Sequence, residues 1–335
     1  MAHRRSAIYV RTLVYMDEPH LLLLKSFKTN VIALAVASPP EEAKFIATTV
    51  SGRDLEAYID GHVDLRYLFT YPSQRSTYTF NLMKMVDNKV MMSPFEGKIP
   101  EQDLPSPRFF STSHTEESED LAGPTHTQKL EVDGEWDMPD FGEFYSRYSD
   151  VYYFLSASHA FTDENVDTEK RRAIKKAFAQ TPFKGGFSYV NFYATLPAAV
   201  PRSERLRMDR IKYESPGYVD VNGDGEAFME TEAIIRSFLT NRAELRKIYE
   251  KFHSFLSKGR YLQMAAEDFQ ANDPANAYIN HTSGVLAEKL NLPNLDSVKS
   301  LVENNSLAFA KIILSLYRRL DETSRFFAQG RVNFT

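Results

Sequence analysis

Four short apolar runs open the chain, at Ile8–Met16, Leu21–Phe27, Val31–Ala37 and Lys44–Val50. They are rich in Val, Ile, Leu, Tyr and Thr, and turn formers separate them: Asp17-Glu18-Pro19, Lys28-Thr29-Asn30 and Pro39-Pro40. Such side chains suit a pleated surface, and gaps this short cannot hold a parallel crossover. The pattern therefore predicts an antiparallel meander. Ser51 stands three residues before Asp54, with Leu55, Tyr58 and Ile59 on one face, which predicts a short capped helix ended by Gly61. Two more runs, Thr77–Met85 and Lys89–Met92, meet at Asp87-Asn88. A curled antiparallel sheet with one or two small helices is expected over residues 1–114.

Further along the period changes to 3.6 residues. Asp140 and Glu143 have capping-box spacing, and Phe144, Tyr148, Tyr152 and Leu155 follow at helical intervals. A basic helix is expected over Thr168–Gln180. Residues 183–221 read as a small β insertion, with β-prone runs at Tyr189–Tyr193, Arg210–Tyr213 and Tyr218–Val221 between Gly and Pro punctuation. Helices are expected over 226–239, 240–257, 275–291 and 305–327, with Thr240, Glu244 and Pro274 as start signals. No internal repeat is visible. The fold class expected is α+β: an antiparallel β-rich domain, then a mainly α-helical domain over 139–335.

Charge locates the boundary between them. The 335 residues carry a net charge of −5, and residues 1–139 alone carry 14 Lys and Arg against 20 Asp and Glu. Eight acids and one base lie between Glu116 and Asp137, interleaved with Ser118, Gly123, Pro124 and Gly134. So polar a stretch buries little apolar area, and 115–138 is expected to be an exposed acidic connection. With 43% hydrophobic and 25% charged residues the chain is an ordinary globular one. Zero Cys excludes a disulfide framework, a thiolate metal site and a Cys nucleophile. The longest apolar run, Val31–Ala37, is seven residues. A membrane span needs about 20, so no membrane insertion and a cytoplasmic location are expected. Arg11 interrupts the apolar stretch after Arg4 and Arg5, which argues against a signal peptide.

Four groups of residues have chemical potential. Asp220, Asn222 and Asp224 followed by Gly225 begin like a calcium loop, in which alternate side chains converge and Gly permits the turn. Position 12, where a bidentate Glu belongs, is Thr231, with Glu230 and Glu232 on either side. A polar turn from strand to helix explains the same residues, so no metal is expected there. Arg246 and His253 sit two helical turns apart and resemble the Arg-x6-His pair of small helical RNases. There an imidazole moves protons while a guanidinium stabilises a phosphorane. Lys247, following the Arg, departs from that pattern, and a solvated helix face is the simpler reading. Lys170, Arg171, Arg172, Lys175 and Lys176, with Arg202, Arg205, Arg207, Arg210 and Lys212, would make a nucleic-acid surface if placed side by side. Tyr189, Tyr193 and Tyr213 are there to stack bases. Glu169, Glu204, Asp209 and Glu214 interrupt that set. His114, Glu116 and His126 have metal-ligand chemistry but lie on the connection. His3, His20, His62, His159 and His281 show no ligand spacing, and nucleophile elbows, phosphate loops and dinucleotide fingerprints are missing.

Residues Leu21–Phe69, ending in Tyr58-Ile59-Asp60-Gly61-His62-Val63-Asp64-Leu65-Arg66, resemble an uncharacterised bacterial family of unknown function, over a β-rich domain of about residues 8–92. The segments Phe183–Tyr193 and Ile211–Gly217 look like stretches of hypothetical bacterial proteins. The resemblance implies a bacterial accessory protein and carries no catalytic residue across. The expected function is a non-catalytic interaction or regulatory module of a cytoplasmic assembly, with another protein as partner and no cofactor. RNA cleavage by Arg246 and His253 and nucleic-acid binding by the basic residues are the alternatives, and homo-oligomerisation is compatible with all three.

Overall fold

A computed structural model of the chain describes residues 4–39, 42–114, 126–181, 183–184 and 186–335. The chain divides into two compact units, Met1–Leu121 and Ala122–Thr335. The fold class is α+β in the expected order, an antiparallel β unit and then a mostly helical one with a further small sheet.

The first unit is a closed six-stranded barrel of β1 (Arg5–Met16), β2 (Glu18–Ser26), β3 (Thr29–Ala35), β4 (Lys44–Val50), β5 (Thr77–Asn81) and β6 (Lys89–Pro94). Each strand pairs antiparallel with its successor. The meander closes because β6 returns to β1, with Arg5 opposite Met92 and Ile8 opposite Lys89. Two helices, α1 (Gly52–Ile59) and α2 (Leu65–Thr70), fill the gap between β4 and β5. Ser51 caps α1 by accepting the Asp54 N–H at 3.0 Å, and Asp64 caps α2 by accepting that of Tyr67 at 2.9 Å.

The unbroken apolar runs Leu21–Leu24 and Val31–Leu34 now have a physical reason. Strand side chains alternate between faces, and here both faces are buried. Leu22, Leu24, Val31 and Ala33 join Phe45, Tyr78 and Met92 in one core. Leu21, Leu23, Ile32 and Leu34 join a second core completed by Tyr58, Ile59, Leu65, Leu68 and Phe69 of the two helices. The β2–β3 register keeps the sets apart, with Leu22 opposite Ala33 and Leu23 opposite Ile32.

The second unit contains β7 (His126–Val132), α3 (Met138–Thr162), α4 (Thr168–Ala179), α5 (Gly186–Ala199), β8 (Arg207–Lys212), β9 (Gly217–Gly223), α6 (Gly225–Lys258), α7 (Asn276–Lys289), α8 (Leu295–Leu301), α9 (Ser306–Ala328) and β10 (Val332–Phe334). Its sheet runs β10-β7-β9-β8. Helix α9 is the centre of the core, buried along nearly its whole length against α3, α6 and α7. Its Lys311 is fully buried and donates to the backbone oxygens of Phe183 (3.0 Å), Leu262 (3.4 Å) and Met264. Burial pushes that ammonium down to about 8.

Several expectations need correction. The segment 126–132, assigned to the acidic connection, is strand β7. Gln128, Leu130 and Val132 alternate inward beneath its charges, and Leu130 and Val132 are buried. Of the rest of the connection, 115–125 lies outside the described residues and 133–138 leads into the capped start of α3. Tyr189–Tyr193 is helical. Tyr189, Phe192, Tyr193 and Leu196 recur at 3.6-residue spacing and pack on the core, and that packing overrides their β propensity. The helices expected at 226–239 and 240–257 are one, α6, and Thr240 bonds back to the Arg236 carbonyl at 3.0 Å instead of starting a helix. The cap of α3 is Asp137, which accepts the Asp140 N–H at 2.8 Å. Helix α2 is the second of the one or two small helices expected in the first unit, whereas α8 and strand β10 were not expected. Among the described residues no helix is long and apolar enough to cross a membrane.

Candidate functional site

The calcium-like sequence is a strand followed by a helix cap. Asp220 and Asn222 lie on β9, and Asn222 Oδ1 accepts the Thr127 hydroxyl at 2.7 Å. Asp224 caps α6 by accepting the Ala227 N–H at 2.8 Å, so its carboxylate is committed to the helix. The glycines answer to packing. A Cβ on Gly223 would lie 2.5 Å from the Tyr152 hydroxyl, and one on Gly225 would lie 2.8 Å from the His126 ring.

The other sequence-derived candidates lie on the following elements. Arg246 pairs with Glu250 on its own helix at 2.7 Å, and both are exposed. His253 lies against the Tyr249 ring at 5.6 Å, and burial together with the charge of Arg318 holds its imidazole below the usual value. The guanidinium His253 feels is thus on α9, and is not Arg246. Lys170, Arg171, Arg172, Lys175 and Lys176 share α4, which packs on α3, α5 and α8; Lys175 pairs with Glu303 at 3.2 Å. Arg207, Arg210 and Lys212 lie on β8, Arg205 just before it, and Arg202 on the turn 202–204. Lys212 binds Glu214 at 2.5 Å, and the side chain of Arg210 bonds that of Tyr218. His114 is in the first unit, where its Nε2 meets the Tyr58 hydroxyl at 2.8 Å. Burial and the nearby Arg11 push His114 down to about 4. Glu116 lies outside the described residues.

Two arrangements in the second unit were not visible as motifs. One is an ionisable cluster where the end of α3, the turn 202–204 and the start of α6 converge. His159 Nε2 stands 3.1 Å from Glu226 Oε2, and Glu230 is one helical turn beyond Glu226 on the same face. One ligand atom each of His159, Glu226 and Glu230 lies within 4.8 Å of the others. Glu204 accepts the Ser156 hydroxyl at 3.2 Å. The Tyr152 hydroxyl fixes the turn to the helix start, donating to the Glu204 carbonyl at 2.6 Å and accepting the Asp224 N–H at 2.6 Å. Burial, reinforced by Asp224, pushes the Glu204 carboxyl up to about 7. Burial does the same to Glu230, against the opposing effect of His159.

The other arrangement is an apolar groove at the opposite end of α3. The inner face of the sheet extends past the first turn of that helix, leaving a groove of about 370 Å³ lined by Val132, Val219, Ile211, Tyr213, Trp136 and Phe141. Met138, Tyr213 and Ile211 are 81%, 64% and 49% exposed around it. Trp136 is held in place by stacking on Phe326 and by donating its backbone N–H to the Tyr213 hydroxyl at 3.2 Å. The groove borders β8, whose outer edge pairs with no strand among the described residues.

Neither arrangement has sequence-local spacing. His159 is remote from Glu226 in the chain, and the groove combines residues 132–141 with 211–219. Period-2 burial in β7 was the one available signal. Comparison with known proteins finds no matching family model, no matching curated protein and no matching solved structure.

Proposed function

We propose that the chain is a non-catalytic interaction or regulatory module of a bacterial cytoplasmic assembly, gripping a partner protein at the groove between β8 and the start of α3. The observation that carries this reading is the exposure of Met138, Ile211 and Tyr213 around a concave apolar floor. Contiguous exposed apolar surface of this kind supports binding, since a solitary surface residue costs little and a patch costs more. The occupant is an extended partner segment, added as a strand to the open edge of β8 with apolar side chains in the groove. Arg207 and Arg210 on that strand favour acidic residues beside them.

Selection of random displayed peptides against the purified protein tests the reading. Apolar peptides with flanking acids should be enriched, and Ile211→Asp should weaken their binding at least about tenfold. Enrichment of peptides indifferent to Ile211→Asp would defeat it.

A further inference from the structure

The geometry points to a divalent transition-metal site, of zinc type, formed by His159, Glu226 and Glu230. It lies at the end of α3 remote from the groove and is independent of the partner reading.

The donor set is specific in kind. One imidazole nitrogen and two carboxylate oxygens, already within 4.8 Å of one another, match the three protein ligands of an open zinc site. Metal–ligand bonds of about 2.0–2.2 Å bring such donors somewhat closer together, which side-chain rotation supplies. Calcium needs about six to eight oxygens and magnesium keeps an oxygen-rich shell, so the imidazole disfavours both. Two carboxylates and a neutral imidazole also balance a double positive charge.

A simple ion pair accounts for only part of the arrangement. His159 Nε2 meets Glu226 at 3.1 Å, but Glu230 Oε2 is shut off from solvent with no hydrogen-bond partner. A buried unpaired carboxylate oxygen is costly, and a cation held between Glu230, Glu226 and His159 removes that cost. Glu204 stands beside the trio, close enough to interact with His159. The backbone around the trio is well supported. Tyr152 ties the 202–204 turn to the start of α6, and Gly223 packs directly on its ring. A bound ion would pin the start of α6 to the end of α3.

The untagged chain, stripped with a chelator, is titrated calorimetrically with zinc chloride, and in parallel with calcium and magnesium chloride. The expected result is one zinc per chain at a Kd of about 10 μM or tighter, with calcium and magnesium at least about a hundredfold weaker. Glu226→Gln, at an exposed carboxylate, and His159→Gln should each weaken zinc at least about tenfold. Asn222→Ala, in the calcium-like sequence, should leave it unchanged. Zinc should raise the Tm of the native chain and not that of Glu226→Gln, which keeps the test valid if His159→Gln fails to fold. Zinc weaker than about 1 mM, or binding unaltered in Glu226→Gln, would overturn the assignment.

Discussion

The barrel and the helical unit build β structure in opposite ways. In the barrel each strand pairs with the one that follows it, so short turns set the register of β1 with β2 and of β2 with β3, and the pairings of β4 with β5 across the two helices and of β6 with β1 are the long-range ones. In the second unit β7 pairs with β9 and with β10, the last strand in the chain, and three helices lie between β7 and β8. Local pairing follows from periodicity and turn residues; distant pairing depends on what the helices leave uncovered. The two arrangements with chemical potential both belong to the distant kind.

Core deletions give the strongest test of that contrast. Trp136 is the single tryptophan and reports on the second unit alone. Phe238 is fully buried on α6, 5.3 Å from the Tyr317 ring, and Phe238→Ala should cost about 3–5 kcal/mol in the Trp136 unfolding transition. Leu24→Ala, equally buried in the barrel, should leave the Trp136 transition in place and accelerate amide exchange in the barrel strands. Equal displacement of the Trp136 midpoint by both would mean that the two units unfold as one.

Acid should weaken the barrel unit through His114. His114 takes up a proton near its ordinary value when unfolded and only at about 4 when folded. Between about pH 6.5 and pH 4 the unfolded state therefore binds more protons, and stability falls as the pH falls. The loss should be evident by pH 4 and be absent from His114→Gln, as measured by urea unfolding at several pH values. An identical pH profile in the two proteins would remove His114 as the cause.

Gly223→Ala sharpens the comparison from the other side. Its Cβ would press on the Tyr152 hydroxyl, a contact between residues far apart in the chain. A cost of about 1–3 kcal/mol is expected, read from the Trp136 transition, whereas an unchanged midpoint would show that the strand-to-helix junction yields easily. The smallest effects belong to Arg246→Ala and His253→Ala, each expected below about 1 kcal/mol and without change in any RNA-directed activity. Concerted loss of such an activity in both, with the fold intact, would restore the RNase reading.

Much of the barrel was legible in the chain itself. Ser51, Gly61 and the turn residues after Met16 and Phe27 act within a few residues of themselves, and their effects survive in any context that buries the strands. The strand at 126–132 was obscured because charge density is a stretch average, while burial is decided residue by residue: Lys129 and Glu131 alternate with buried Leu130 and Val132. Tyr189–Tyr193 has β-forming residues at helical spacing, and contact with the core decided between the two. Propensity, capping and periodicity belong to the local chain, so the sequence determined the fold class and most elements of the first unit. The proximity of His159 to Glu226 and Glu230, and the groove left open beside Ile211, depend on which distant segments pack together. That choice minimises exposed apolar area over the whole second unit, and only the tertiary structure records it.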